Sequence, residues 1–380
     1  MEAVYQKKSP AWLATDAPET GVVLFSQCSL MRNLSDFSFP GCCTVEEQAL
    51  IEERILRALD LLDAQWHGQY FSNAGLGNGQ ESSVERRLMP LGSAARHAHG
   101  GLYVLDDQST SISVNGTDHL CLTAVGAGLQ VGEMWARINA LDDALSEVVD
   151  YAFDKELGYM TASMSHVGTG LKVSAVLHLP GLSRTNMIGF VAQTAREHHH
   201  ALMGLEAAPR SGDAEAKAQS LVGDFLYYGL AETALVEGQE PASDLYVLSN
   251  RITLGRSEEE IVFHLRHAAH EIISREKEAR KELLDADERV ARDRVARALG
   301  LARSVQLLEL PEALSLLSSI RFGVEVGWVD AFSVQQIDEM YVTSQDAPLT
   351  KRLDRGCDER ALSMARADLF RARFSQDRKV

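Results

Sequence analysis

Apolar positions along this chain follow two periods, and the switch between them divides it. Up to about residue 250, short apolar runs with partial two-residue alternation predict strands. They are GVVLF (21–25), LYVLDDQSTSISV (102–114), CLTAV (121–125), KVSAVLHL (172–179) and DLYVLSN (244–250). Between them lie two segments with helical spacing, 44–66 and 130–157. Thr44 and Glu47 form a capping box at the start of the first. A glycine turn, VGTGL (167–171), feeds the strand that ends before Pro180. After Pro180 the pattern weakens, and 206–221, rich in Ala, Asp and Glu, reads as an inserted loop or polar helix. From Ser257, with Glu260 as a second capping box, the chain turns helical and charge-laced, with some strand potential returning only at GVEVGWV (323–329). The pattern predicts an α+β region over 1–255 and a mainly helical region over 256–380.

Charge and composition narrow the function. The net charge is 37 − 54 = −17, which excludes an electrostatic nucleic-acid footprint. It also disfavours a polyanion such as ATP unless arginines gather locally. No apolar run approaches the roughly 20 residues of a bilayer span, and the opening MEAVYQKKSPAW has no apolar signal core. The expectation is a cytoplasmic protein that does not engage membranes. Five irregularly spaced cysteines, with no C-x-x-C, predict free thiols rather than disulfides or a zinc site.

Taken singly, the local motifs carry little chemistry. GTGLK (168–172) lacks the spacing and the Ser or Thr of a phosphate-binding Walker loop. His198, His199 and His200 point different ways on a helix and read as a solvated patch; His264, His267 and His270 read as surface or packing residues. Asp118 and His119, as strand neighbours, would face opposite sides. Cys42 and Cys43 read as core or half-buried thiols. No metal site is expected.

Several stretches, in order and over nearly the whole chain, resemble the ATP:guanido phosphotransferases, and most closely the bacterial protein-arginine kinases. They are SPAWL (9–13), VVLFSQCSLMRNLSDFSFP (22–40), SSVERRLMP (82–90), VNGTDHLCL (114–122), LGYMTASMSHVGTGLKVSAVLHLP (157–180) and LYVLSNRITLGRSEEEI (245–261). Extra length falls at about 185–228. The resemblance implies a mostly antiparallel sheet flanked by helices, then a helical domain that dimerises.

It also implies phosphoryl transfer from MgATP to a guanidinium, for which the family surrounds the phosphates with arginines. Aligned on that pattern, two cage arginines are Gln27 and Ser29, a pocket histidine is Arg87, and a further arginine is Cys121. The phosphate-binding arginine of the glycine loop is Lys172. The substrate-engaging glutamate is Thr117, and the reactive cysteine is Ser163, followed by Met164 in place of proline. Glu237 aligns loosely with another acidic substrate residue. The last cage arginine has no counterpart, since no arginine occurs between Arg210 and Arg251. A charge-assisted hydrogen bond contributes about 1.5–3 kcal/mol, so these losses remove on the order of 6–12 kcal/mol. A micromolar ligand has only about 8 kcal/mol to lose. The family's phosphoarginine-binding motif aligns with the helix at 362–374, where its leading Arg-Asp is Leu362 and Ser363. Arg366, Arg371 and Arg373 are left as a basic, solvated stripe.

The sequence therefore predicts a catalytically silent relative that binds proteins, as a homodimer through 256–380, with no cofactor. By resemblance, its partners would be a zinc-binding activator protein or Clp-type protease machinery. The alternative is a working protein-arginine kinase that holds MgATP with Lys172, Arg87, Arg32 and Arg210. A third reading is a pocket lined by Cys121, Ser163 and His166 for a smaller, less anionic ligand.

Overall fold

The computed structural model describes residues 16–73, 99–207, 226–227, 230–233, 241–346, 349, 353 and 358–375. Arg87, Arg210 and Glu237, with the stretches 9–13 and 82–90, lie outside them.

In chain order the elements are β1 (Val23–Arg32), α1 (Val45–Asp60), β2 (Gly68–Ser72), β3 (Gly101–Leu105), β4 (Thr110–Val114) and β5 (Leu120–Ala127). There follow α2 (Val131–Ser146), the short hairpin β6 (Phe153–Asp154) and β7 (Gly158–Tyr159), β8 (Leu171–His178), α3 (Pro180–Arg184), α4 (Ile188–Glu197) and β9 (His200–Ala207). The last are β10 (Leu226–Tyr227), β11 (Leu230–Thr233), β12 (Leu245–Asn250), α5 (Glu258–Ser304), α6 (Leu310–Glu325), α7 (Val334–Thr343) and α8 (Glu359–Phe374). Ten strands form one sheet in the order β10-β11-β9-β12-β8-β1-β5-β4-β3-β2, with antiparallel pairing throughout.

The stretch 102–114 is not one strand. Asp106–Ser109 turn the chain and split it into β3 and β4, with Gln108 at a left-handed φ of 57°. The helix expected over 44–66 stops at Asp60, and that over 130–157 stops at Ser146. Both capping boxes form: Thr44 and Ser257 each accept from the backbone of the glutamate three residues on and are bonded in return. Part of the expected insertion is regular structure, since α4 and β9 lie within it and β9 pairs with β12. The apolar GVEVGWV segment does not form a strand: its first three residues finish α6.

Both faces of the central strands are covered, and every residue of β1 is buried. On one face, Cys28, Leu30, Leu122, Val173 and Leu248 pack beneath α1, α2, α4 and the first half of α5. On the other, Phe25, Val125, Val176 and Val247 pack beneath α6, α7, α8 and the last turns of α5. Helix α5 serves both layers because it bends at Asp287 (φ −159°, ψ 85°), whose carboxylate caps the second half by accepting from Val290 N at 3.1 Å. A buried polar network joins the layers. Glu276 accepts from Gly181 N and Leu182 N, each at 2.9 Å, and from Arg280, which donates to His178 O at 3.0 Å.

His178 lies within this network. Its Nδ1 accepts from Arg321 at 3.2 Å, and its Nε2 donates to Ser318 Oγ at 3.0 Å. Burial first, then Arg321, Arg280 and Arg184, hold its pKa well below the ordinary 6.5. An unfolded imidazole takes up a proton below about pH 6.5 while this one does not, so its contribution to stability is intact above that pH and is lost below it. Relative to a His178→Gln variant, the wild-type chain should lose about 1.4 kcal/mol per pH unit below about pH 6.5. Urea midpoints of the two proteins measured across that range check this. A constant difference between them is the opposing result.

Candidate functional site

Alternation along β1 places Phe25, Gln27, Ser29 and Met31 on the face covered by the C-terminal helices, and Ser26, Cys28, Leu30 and Arg32 on the other. Beyond the apolar end of that first face, the strands carry small polar groups instead. Register sets Ser111, Thr123, Ser29 and Lys172 in one row across β4, β5, β1 and β8. Gln27, Ser174 and Ser249 form the next row, and Ser113 pairs with Cys121. All except Cys121, which is half-buried, are buried. Lys172 is the one cation that the described strands place on this face.

The groups hold one another. Gln27 Nε2 donates to Ser29 Oγ at 3.0 Å, Ser29 Oγ lies 3.0 Å from Thr123 Oγ1, and Thr123 Oγ1 lies 3.7 Å from Cys121 Sγ. Burial pushes the Cys121 thiol up to about 11, so at neutral pH it is a thiol and a poor nucleophile. Gln27 Oε1 is buried with no partner. The result is an uncharged network of hydroxyls, an amide and a thiol at three of the positions expected for phosphate ligands.

The glycine loop borders this face and is fixed from below by Arg32. Arg32 is buried, donates to Asp142 Oδ2 at 2.7 Å and to Thr169 O at 2.9 Å, and lies 3.4 Å above the Tyr159 ring. It is therefore no substitute phosphate ligand: its side chain is on the opposite face and committed to a carboxylate. The loop needs glycine where it passes close to neighbours. A Cβ at Gly170 (φ +67°) would lie 2.6 Å from Arg32 Nη1, and one at Gly168 (φ +112°) 2.5 Å from Thr253 O. Ser163 is half-buried on this loop, and its hydroxyl lies 2.7 Å from Ser165 Oγ, a pairing without a general base.

Asp118 and His119 sit in a bend rather than a strand, so pleat alternation does not separate them. Their partners do. Asp118 Oδ1 accepts from Asn33 Nδ2 at 2.6 Å and Ala162 N at 2.7 Å, anchoring the loop. His119 Nδ1 accepts from Leu34 N at 3.0 Å, and its Nε2 donates to Ser38 O at 2.9 Å. Thr117 beside them is exposed. Cys43 donates to Ser38 O at 2.7 Å, while Cys42 is exposed, contrary to the expected half-buried pair. The stripe expected to be solvated on α8 is not: Arg366 is buried, donating to Ser344 O at 2.7 Å and Leu308 O at 2.8 Å and pairing with Asp346, and Arg371 and Arg373 are half-buried.

The family model described as the ATP:guanido phosphotransferase C-terminal catalytic domain matches residues 50–215 and 230–279. The chain belongs to the ATP:guanido phosphotransferase family. A second model, the protein-arginine kinase McsB C-terminal domain, matches 288–380. Among curated ATP:guanido phosphotransferase relatives, a protein-arginine kinase of Halalkalibacterium halodurans is 30% identical over 367 residues, covering 96% of this chain and 94% of that one. The protein-arginine kinase of Clostridium novyi is 31% identical over 345 residues, covering 90% and 91%. A crystal structure of lombricine kinase superposes with a TM-score of 0.53 at 20% identity over 71% of each chain, which shows the shared fold. A duplicated taurocyamine kinase of Schistosoma mansoni gives a TM-score of 0.50 at 19% identity, over 72% of this chain and 35% of that longer one. Among the described residues of this family member, no helix is long and apolar enough to cross a membrane, and no three His, Cys, Asp or Glu side chains converge as metal ligands.

The family resemblance singles out Gln27, Ser29, Cys121 and Lys172; it does not single out Ser111, Ser113, Thr123, Ser174 and Ser249, which share their face of the sheet. Their signal was present: serine at every second position of STSIS and at matching positions of neighbouring strands.

Proposed function

We propose that this chain is a protein-arginine-kinase relative that does not hold a nucleotide triphosphate in the family's manner and acts by binding other proteins. The observation carrying this reading is the uncharged Gln27–Ser29–Thr123–Cys121 network, with Lys172 as the sole cation of the described strands on that face. A triphosphate brought there loses its hydration and gains one ammonium, so MgATP does not fit the described side chains. Homodimerisation through 256–380, and a zinc-binding activator or Clp-type protease machinery as partner, complete the proposal by family resemblance. Calorimetric titration with MgATP should show no saturable binding below about 1 mM. Micromolar binding overturns the reading.

The second reading is a working protein-arginine kinase, and kinship favours it: relatives of that name match over nine tenths or more of this chain. On that reading Lys172 meets a phosphate oxygen. Labelled phosphate should then pass from ATP to arginine side chains of an arginine-rich protein, and the transfer should fall on Lys172→Ala. Absence of transfer, with no thermal shift by nucleotide, decides against it.

A further inference from the structure

Helix α4 and the first half of α5 lie on the same side of the sheet and leave a groove between them. Helix α5 turns one stripe into it, His264, His267, Ala268, Glu271, Ile272 and Arg275, at the spacing of a single helix face. Helix α4 answers with Val191, Thr194, Ala195 and His198, and the turn into β9 closes one end with His199 and His200. The cavity is about 350 Å³, and its floor is apolar, built from Val191, Ala195, Ala268 and Ile272. From His264 to Arg275 the stripe runs ~16 Å along the helix axis.

Each end of the groove holds a cation. At one end Arg256 stands with the histidines: burial first, then His264, His198, Arg256 and His199, bring the His200 pKa down to about 4. At the other end Arg275 lies 5.5 Å from the centre of the Phe190 ring, near the start of α4. Both arginines are half-buried, and neither has a carboxylate partner among the described residues. The two acidic lining residues do have partners: Glu271 lies 3.6 Å from His267 Nε2, and Glu197 accepts from Gln193 at 3.1 Å. An exposed phenylalanine flanks each end, Phe190 by Arg275 and Phe263 beside His264. The groove is thus apolar along its floor and cationic at both ends, on a chain whose net charge is −17.

We propose that this groove docks an acidic amphipathic helix of a partner protein, with its apolar stripe on Val191, Ala195, Ala268 and Ile272 and a carboxylate near each end on Arg256 and Arg275. The two arginines are too far apart to share one small anion, but a helix of about four to five turns reaches both. An extended segment would lay its N–H and C=O groups over an apolar floor, whereas a helix satisfies them internally. The charge of the groove, opposite to that of the chain as a whole, selects an acidic occupant. The groove lies across the sheet from the polar face discussed above. It deepens the protein-binding reading without resting on that face, since a working kinase would dock the same helix. Titration with MgATP tests the one and titration with peptide the other, so their failures are told apart.

The test is titration of the full chain with a synthetic helical peptide of about 18 residues, with one leucine stripe and glutamates at both ends, followed by fluorescence anisotropy. Expected is saturable binding below about 1 mM that weakens as salt is raised from about 0.05 to 0.5 M. A peptide of the same composition with the leucine stripe scrambled should bind about tenfold more weakly or worse. Arg256→Glu and Arg275→Glu should each weaken binding about fivefold to tenfold. A peptide with lysines in place of the terminal glutamates should recover binding to the double variant. A general loss of fold does not produce that recovery, and the melting curves should hold because neither arginine leaves a carboxylate stranded. No saturable binding up to about 1 mM, equal binding of the scrambled peptide, or no recovery with the lysine peptide would each overturn the proposal. So would self-association, or binding to anionic lipid vesicles, that Ala268→Glu abolishes, since a second copy or a lipid surface would then be the occupant.

Discussion

Replacing Arg321 by methionine is expected to destabilise the chain by about 3–5 kcal/mol. Arg321 is fully buried between the sheet and the C-terminal helices. It donates to Asp338 Oδ1 at 2.8 Å, to Thr20 O at 2.9 Å, to Gly21 O at 3.1 Å and to His178 Nδ1 at 3.2 Å. From His178 the chain of bonds continues through Ser318, which donates to Asp244 Oδ2 at 2.5 Å. Methionine fills much of the volume but leaves Asp338 a buried carboxylate without its cation and Thr20 O without a donor, while Gly21 O keeps only its longer bond from Arg280 at 3.3 Å. The double variant Arg321→Met with Asp338→Leu should recover part of the loss, because removing the second charge removes the uncompensated one. Urea unfolding of the wild type and both variants measures this. A loss under about 1 kcal/mol for the single variant would mean that the network contributes little to joining the two layers.

Arg32→Met should cost a similar amount, about 3–5 kcal/mol, with a more local signature. The bidentate contact with Asp142 ties β1 to α2, and the bond to Thr169 O ties both to the glycine loop. With methionine there, Asp142 is stranded and Thr169 O loses its donor. Hydrogen exchange in 166–171 should accelerate more than exchange in the core of β8, since Met31 N donates to Gly170 O at 2.9 Å and that contact depends on the loop's position. Unchanged protection of the loop would show that Asp118 and Thr253 hold it without Arg32. The same variant separates two roles for Arg32: a phosphate ligand would change nucleotide response at little cost in stability, whereas the observed packing predicts the reverse.

Local patterns in the sequence located β5, β8, β12, part of β1, and the helices α1, α2 and the start of α5. The capping boxes at Thr44 and Ser257 form as their spacing requires, because a cap is satisfied by residues three apart. Helix ends were less legible: the amphipathic stripe continues past Asp60 and Ser146, and no glycine or proline marks the stop. The single strand expected over 102–114 became a hairpin because DDQS can turn at a non-glycine left-handed residue, Gln108. Arg366 and Arg32 were misplaced for one reason. Helical or strand period tells which face a residue occupies but not whether a carboxylate from a distant element waits there. Asp346 and Asp142 do.

What the sequence alone determined is the family, from ordered stretches such as VVLFSQCSLMRNLSDFSFP, and the helix starts at Thr44 and Ser257. A cap is closed by residues three apart, so it can be read locally. Only the tertiary structure decided that Gln27, Ser29, Thr123 and Cys121 satisfy one another, and that His198–His200 meet His264 and His267 around one cavity. The contacts that close these groups, Ser29 with Thr123 and the 198–200 histidines with His264 and His267, join distant parts of the chain, and their geometry is fixed by strand register and helix packing rather than by any spacing along it.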